Sequence, residues 1–211
     1  MHFLQHLEFC VFIFRIANLL FSSFAFLLEW AWDATSDLIK QGMFALHGID
    51  DSIVTKIGED GDSKNCMMTG PVMEGTGKHT ISMKLGKGDA EYMYMMCGVA
   101  RDGVACDKYY ANAANTEAWY MNSFGYLYGN GEYADDCAGS INDGQVLTMQ
   151  VDLDAGTLKF WVDGKPHGPG WTSGVTGRLR WAASVICKGN TVQIVPTPSE
   201  LQRSSIAKQQ S

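Results

Sequence analysis

The chain has 211 residues, 16 Lys and Arg against 23 Asp and Glu, a net charge of −7, 23 Gly and 5 Pro. That length accommodates one all-β domain plus an extension, and abundant Gly with scarce Pro suits many tight turns. The acidic excess persists within Gly48–Pro198, where 12 basic residues face 18 acidic ones, so no basic stripe is present to bind nucleic acid.

The six cysteines, Cys10, Cys66, Cys97, Cys106, Cys137 and Cys187, form no C-x-x-C pair, which excludes a zinc knuckle. Scattered single cysteines read as buried thiols of a reducing compartment. None of the asparagines begins an N-x-[ST] sequon, which points the same way: an intracellular chain.

Phe9 to Leu28 is a nearly continuous apolar run, long enough to cross a bilayer as a helix. Its apolar residues lie all round the helix, which suits a membrane span or a helix buried against protein. Arg15 and Asn18 interrupt it, and no Lys or Arg precedes it to orient a span or open a signal peptide. Trp30 and Trp32 follow where an interfacial belt would sit. Three readings stay open for residues 1–32: membrane anchor, helix packed on protein, and cleaved signal. Residues 33–47 read as a short amphipathic helical connector, capped at Asp33 or Ser36 and ended at Gly42 or Gly48.

From Gly48 the texture changes to short alternating runs divided by Gly, Asp and Asn, the pattern of a β-sandwich or barrel. Strands are predicted at Ile53–Ile57, Cys66–Thr69, Thr80–Leu85, Met93–Val99, Ala118–Asn122, Gly125–Tyr128, Leu179–Ile186 and Thr191–Val195. The strongest signal lies between Gln145 and Gly168. Leu147, Met149, Val151 and Leu153 alternate with polar residues, Asp154–Thr157 turns the chain, and Leu158, Phe160 and Val162 alternate again. Asp163–Gly164 then supplies a two-residue turn that needs positive φ. Residues 48–198 are therefore taken as one β domain, and 199–211 as a polar, disordered tail.

Several motifs fail on inspection. Gly75-Thr76-Gly77-Lys78-His79-Thr80 lacks the first Gly of a Walker A loop, and His79 replaces its Ser/Thr, leaving a turn that enters a strand. Asp60-Gly61-Asp62 starts like a calcium loop, but Lys64 stands at the fifth position. His47, His79 and His167 are isolated in the sequence, so no metal site is expected. Asp135 and Asp136 are adjacent, and in extended chain they point apart. No catalytic set and no cofactor motif emerges.

The order of motifs across Gly70–Val195 resembles the SPRY domain family. Gly77-Lys78-His79 leading into Ile81–Leu85, then Cys97–Arg101, then Trp119 with Phe124–Tyr126 and Gly129–Gly131, then Asn142–Asp154, then Gly156–Lys165 follow the family's sequence of strands. Leu179–Ser184 sits where the family often carries a Pro, here replaced by Trp181. The resemblance implies a bent sandwich of two antiparallel sheets (concanavalin-like), without catalytic activity. It also implies binding of other proteins, commonly short peptide segments, through loops at one edge.

Family members that bind peptides often use an aromatic after the strand matching Cys97–Arg101, and Tyr109 and Tyr110 fall near that place. They also use a late Trp, and this chain has none near Ile186–Cys187. The long connection from Arg101 to Glu117 is the expected binding site, with Arg101, Lys108, Tyr109 and Tyr110 as contact residues, because Arg and Tyr dominate binding hot spots. Phe160, Trp119, Trp171 and Trp181 are expected in the core. The expected function is a protein-interaction module, membrane-tethered if residues 9–28 anchor it. The alternative is a lectin-like glycan-binding sandwich, which calcium-dependent glycan binding would distinguish.

Overall fold

The computed structural model describes residues 31–48, 51–59, 66–104, 116–129, 131–135 and 137–198. The apolar run 9–28, Trp30, the Asp60–Asp62 turn, Lys108, Tyr109, Tyr110, Asp136 and the tail from 199 lie outside the described residues. Among those described, no helix is long and apolar enough to cross a membrane.

The hairpin forms as its alternation dictates. Strands β9 (Val146–Asp152) and β10 (Thr157–Val162) pair antiparallel from Asp152↔Thr157 to Leu147↔Val162. Leu147, Met149, Val151, Leu158 and Phe160 all enter the core. Asp163 (φ 48°) and Gly164 (φ 77°) are both left-handed, and Val162 then pairs with Lys165 of β11 (Lys165–Pro166). Two consecutive positive φ values define the type I′ turn, whose twist matches that of the strands it joins. The polar face departs from simple alternation. Ser82 and Thr148, which face outward, are buried, with their hydroxyls 2.7 Å apart.

The remaining strands are β1 (Phe44–His47), β2 (Ile53–Lys56), β3 (Cys66–Met73), β4 (Lys78–Gly86), β5 (Met95–Arg101), β6 (Ala118–Asn122), β7 (Leu127–Gly129), β8 (Glu132–Ala134), β12 (Leu179–Val185) and β13 (Thr191–Val195). Among the described residues they build a seven-stranded sheet, β1-β2-β13-β4-β9-β10-β11, and a six-stranded sheet, β3-β12-β5-β6-β7-β8. All pairings are antiparallel. The core between the sheets takes Ile81, Met83 and Leu85 from one side, and Val99, Trp119, Met121 and Trp181 from the other. Phe160, Trp119, Trp171 and Trp181 are buried there as expected.

The Gly75–Thr80 segment is a strand entry. Gly77 N donates to Asp154 Oδ2 at 3.2 Å, and Lys78 pairs with Asp152 at 3.4 Å. These contacts tie the start of β4 to the β9–β10 turn. Asp152 is raised by burial, but hydrogen bonds from the Ala155 N–H and Lys78, together with the Lys78 charge, more than offset this and hold it below the ordinary carboxylate range.

Residues upstream of Gly48 also pack into the sandwich. The expected connector 33–47 contains one short helix, α1 (Asp37–Lys40), capped by the Ser36 side chain, and then strand β1. Trp32, Leu38 and Phe44 are core residues. Alternation over four residues is too short to be separated from a helical period, and the pairing of β1 with β2 decides it. Trp32 also departs from the interfacial-belt reading: it is buried, and its indole N–H donates to the Ser52 carbonyl at 3.1 Å.

Candidate partner-binding surface

β5 ends at Arg101, the first residue of the long connection to β6. Arg101 has the same register parity as Val99, so its side chain closes the end of the sandwich interior. Its guanidinium lies 5.3 Å from the centre of the Trp119 ring and its Nε 3.4 Å from Glu117 Oε2. Stacking of this kind contributes about 0.5–1 kcal/mol at an exposed site. Beside it, Arg178 bridges Glu74 at 3.4 Å and Asp102 at 3.3 Å, and Asp102 N donates to the Arg178 carbonyl at 2.8 Å. This rim therefore presents arginines that already carry acidic neighbours. A carboxylate of a partner at Arg101 would compete with Glu117. Lys108, Tyr109 and Tyr110 belong to the part of the connection outside the described residues, so Arg101 alone of the expected contact residues is placed by the structure.

A second feature of the same sheet escaped the sequence reading. Phe124, Tyr126 and Tyr128 alternate with Gly125 and the buried Leu127. Tyr128 of β7 shares the outer face with its partner Tyr120, while Phe124 lies in the β6–β7 turn and Tyr126 just before β7. Tyr128 pairs across the strands with Tyr133 of β8, the edge strand, and the two ring centres stand 4.9 Å apart. Tyr133 meets Tyr126 edge-on at 6.2 Å, Tyr126 meets Phe124 at 6.5 Å, and Phe124 meets Tyr94 at 5.5 Å. Five rings thus make one chain of contacts, with Phe124 39% and Tyr133 45% exposed. Asn122 holds the turn that aims them, its Oδ1 accepting from the N–H groups of Phe124 (3.0 Å) and Tyr126 (2.9 Å). The alternation of aromatics in Phe124–Tyr128 was the signal in the sequence.

No cluster of three or more His, Cys, Asp or Glu side chains that could hold a metal ion occurs among the described residues. His79 is half-buried, and burial pushes its imidazole below the ordinary value, so it is neutral near pH 7.

The architecture is that of a two-sheet antiparallel sandwich whose loops gather at the ends. Compared with solved structures, the chain is similar to the SPRY domain of human HERC1, with TM-score 0.59, 18% identity, and coverage of 73% of this chain and 92% of that one. It is also similar to the TRIM65 PSpry domain, with TM-score 0.58, 14% identity, and coverage of 80% and 93%. Stonustoxin matches with TM-score 0.56 and 14% identity over 79% of this chain and 27% of that one. No family model and no curated protein sequence matches the chain. The chain has the SPRY-domain fold, as the order of its motifs implied.

Proposed function

We propose that this chain is a non-catalytic protein-interaction module that binds an extended segment of a partner protein along the edge of the six-stranded sheet, between the aromatic cluster at the start of β5 and the Arg101–Glu117 connection at its other end. The observation that carries this reading is the solvent-reaching chain of aromatic rings, Tyr94 to Tyr133. Tyr and Phe supply large contact area at small entropic cost, and contiguous exposed aromatics on a soluble surface mark recognition sites. In this reading Tyr109 and Tyr110 of the Arg101–Glu117 connection, which leaves the opposite end of β5 from Tyr94, offer a further aromatic anchor, and Arg101 and Lys108 favour an acidic group on the partner.

The test is a pull-down with the full chain, read by mass spectrometry, beside two double variants: Tyr109→Ala with Tyr110→Ala, and Phe124→Ala with Tyr133→Ala. A protein retained by the parent chain and lost from both variants, with unchanged thermal melts, is the expected result. Equal retention by well-folded variants would place the site elsewhere. Calcium-dependent binding on a glycan array, without a protein partner, would replace this reading with the lectin-like one.

A further inference from the structure

Over β3, β12, β5 and β6 the outer face of the six-stranded sheet is largely apolar and sealed. Reading across it, Met68, Ala182, Gly98, Tyr120, Tyr128 and Tyr133 occupy one register row through β3, β12, β5, β6, β7 and β8. Met96, Ala100 and Ala118 lie beside this row on the same face. Met96, Ala100, Ala118, Tyr120 and Ala182 are completely buried within a single chain. They form a second apolar cluster, separate from the sandwich core.

A sheet face cannot exclude water without a layer over it. Among the described residues, the half-buried apolar side chains packed on this cluster are Ala90, Tyr94, Val104 and Tyr128. Tyr94 and Val104 flank the two ends of β5, and Tyr128 stands on the far strand. The middle of the face, around Ala182 and Gly98, needs another cover.

We infer that residues Phe9–Leu28 form that cover, lying as a helix across the outer face of the six-stranded sheet. The attachment point supports this. The Ala31 carbonyl accepts from Thr69 Oγ1 at 2.7 Å, Trp32 bridges Thr69, and Asp33 N donates to the Met68 carbonyl at 3.0 Å. Asp33 also meets Arg180 at 3.6 Å. Residues 31–33 are thus fixed along β3, the edge of this sheet, and only Glu29 and Trp30 separate them from Leu28.

Length agrees as well. A helix of about 20 residues spans about 30 Å, enough to cross β3, β12, β5 and β6, whose three spacings of about 4.8 Å make about 14 Å. The centre of the face is built of Gly98, Ala100, Ala118 and Ala182, which form a shallow trough for a helix, and Met68 and Met96 at its side adapt to irregular neighbours.

The other segments outside the described residues fit less well. Residues 105–115 are held at both ends beside Ala100 and Ala118, and they contain no long apolar run. Residues 199–211 are polar and follow β13, in the opposite sheet.

The proposal is tested on the full chain by hydroxyl-radical footprinting, in detergent-free buffer and with phosphatidylcholine vesicles. A companion variant carries a photo-cross-linking residue in place of Leu19. The expected result is that Met68 and Met96 stay as protected as Met83 of the sandwich core in both conditions. The Leu19 variant should cross-link within its own chain to β3, β12, β5 or β6. Three results would overturn the proposal: flotation with vesicles together with oxidation of Met68 and Met96 while Met83 stays protected; a cross-link to lipid; and a cross-link joining two chains or reaching the seven-stranded sheet.

Discussion

Asp163 and Gly164 show how two residues control the hairpin that supplies β9 and β10. A Cβ at Gly164 would meet nothing within 4 Å, so substitution there reports backbone strain alone. Its φ of 77° is costly for a β-branched residue. Gly164→Val should therefore lose about 1–3 kcal/mol, read as a shift in the urea midpoint at constant slope. Gly125→Val should lose more, because its φ is also positive and its Cβ would strike the Ala138 carbonyl oxygen.

Asp163 also carries a pH signature. The Val146 N–H first, and then the Gln145 side-chain amide, hold its carboxylate below the ordinary range. A carboxylate whose folded value is depressed stabilises the fold above its unfolded value and loses that contribution as pH falls through the folded one. Asp33, held low first by the Thr35 hydroxyl and further by Arg180, acts in the same sense. Stability should therefore fall below about pH 4. Asp163→Asn, which tolerates the left-handed conformation, should flatten the fall in urea midpoint between about pH 4 and pH 2. An unchanged slope would show that Asp163 is equally stabilised in the unfolded chain.

At the scale of elements, β1 is the one whose role the local pattern concealed. Phe44 of β1 pairs with Lys56 of β2 on the inner face, and the Lys56 ammonium lies 5.2 Å from the centre of the Phe44 ring. The Lys56 side chain is buried. Phe44→Ala removes a core ring and the face on which that ammonium sits, so it should lose about 3–5 kcal/mol in chemical denaturation. A loss below about 0.5 kcal/mol, the ordinary scale of a surface change, would mean that β1 is dispensable to the sandwich. A fragment starting at Gly48 removes Trp32, Leu38 and Phe44 together. The smallest unit that can be expected to fold therefore begins before Trp32. Strands β6 to β8 teach the opposite lesson. Their aromatics alternate visibly along Phe124–Tyr128, but the ring contact with Tyr133 depends on which strand lies alongside.

For the whole molecule, the two-sheet class, the hairpin at Gln145–Gly168 with its type I′ turn, most of the strands, and the burial of Phe160, Trp119, Trp171 and Trp181 were legible in the sequence. Each depends on neighbours within a few residues: period two, turn chemistry, and aromatic residues flanked by β-formers. The candidate site was legible only as a long connection with Arg101 at its start. Tertiary structure decided what a local pattern does not contain. β13 lies between β2 and β4, and β12 between β3 and β5, so strands distant in the chain become partners. Pairing of β5 with β6 turns Arg101 over Trp119, pairing of β7 with β8 brings Tyr133 beside Tyr128, and the bridge from Trp32 to Thr69 of β3 draws Trp32 into the core. They also give the six-stranded sheet a buried outer face, where alternation alone would have left Met96 and Tyr120 to solvent. The reason is that side-chain direction along a strand is set by the chain itself, whereas what each face meets is set by contacts that form only when the sheets close.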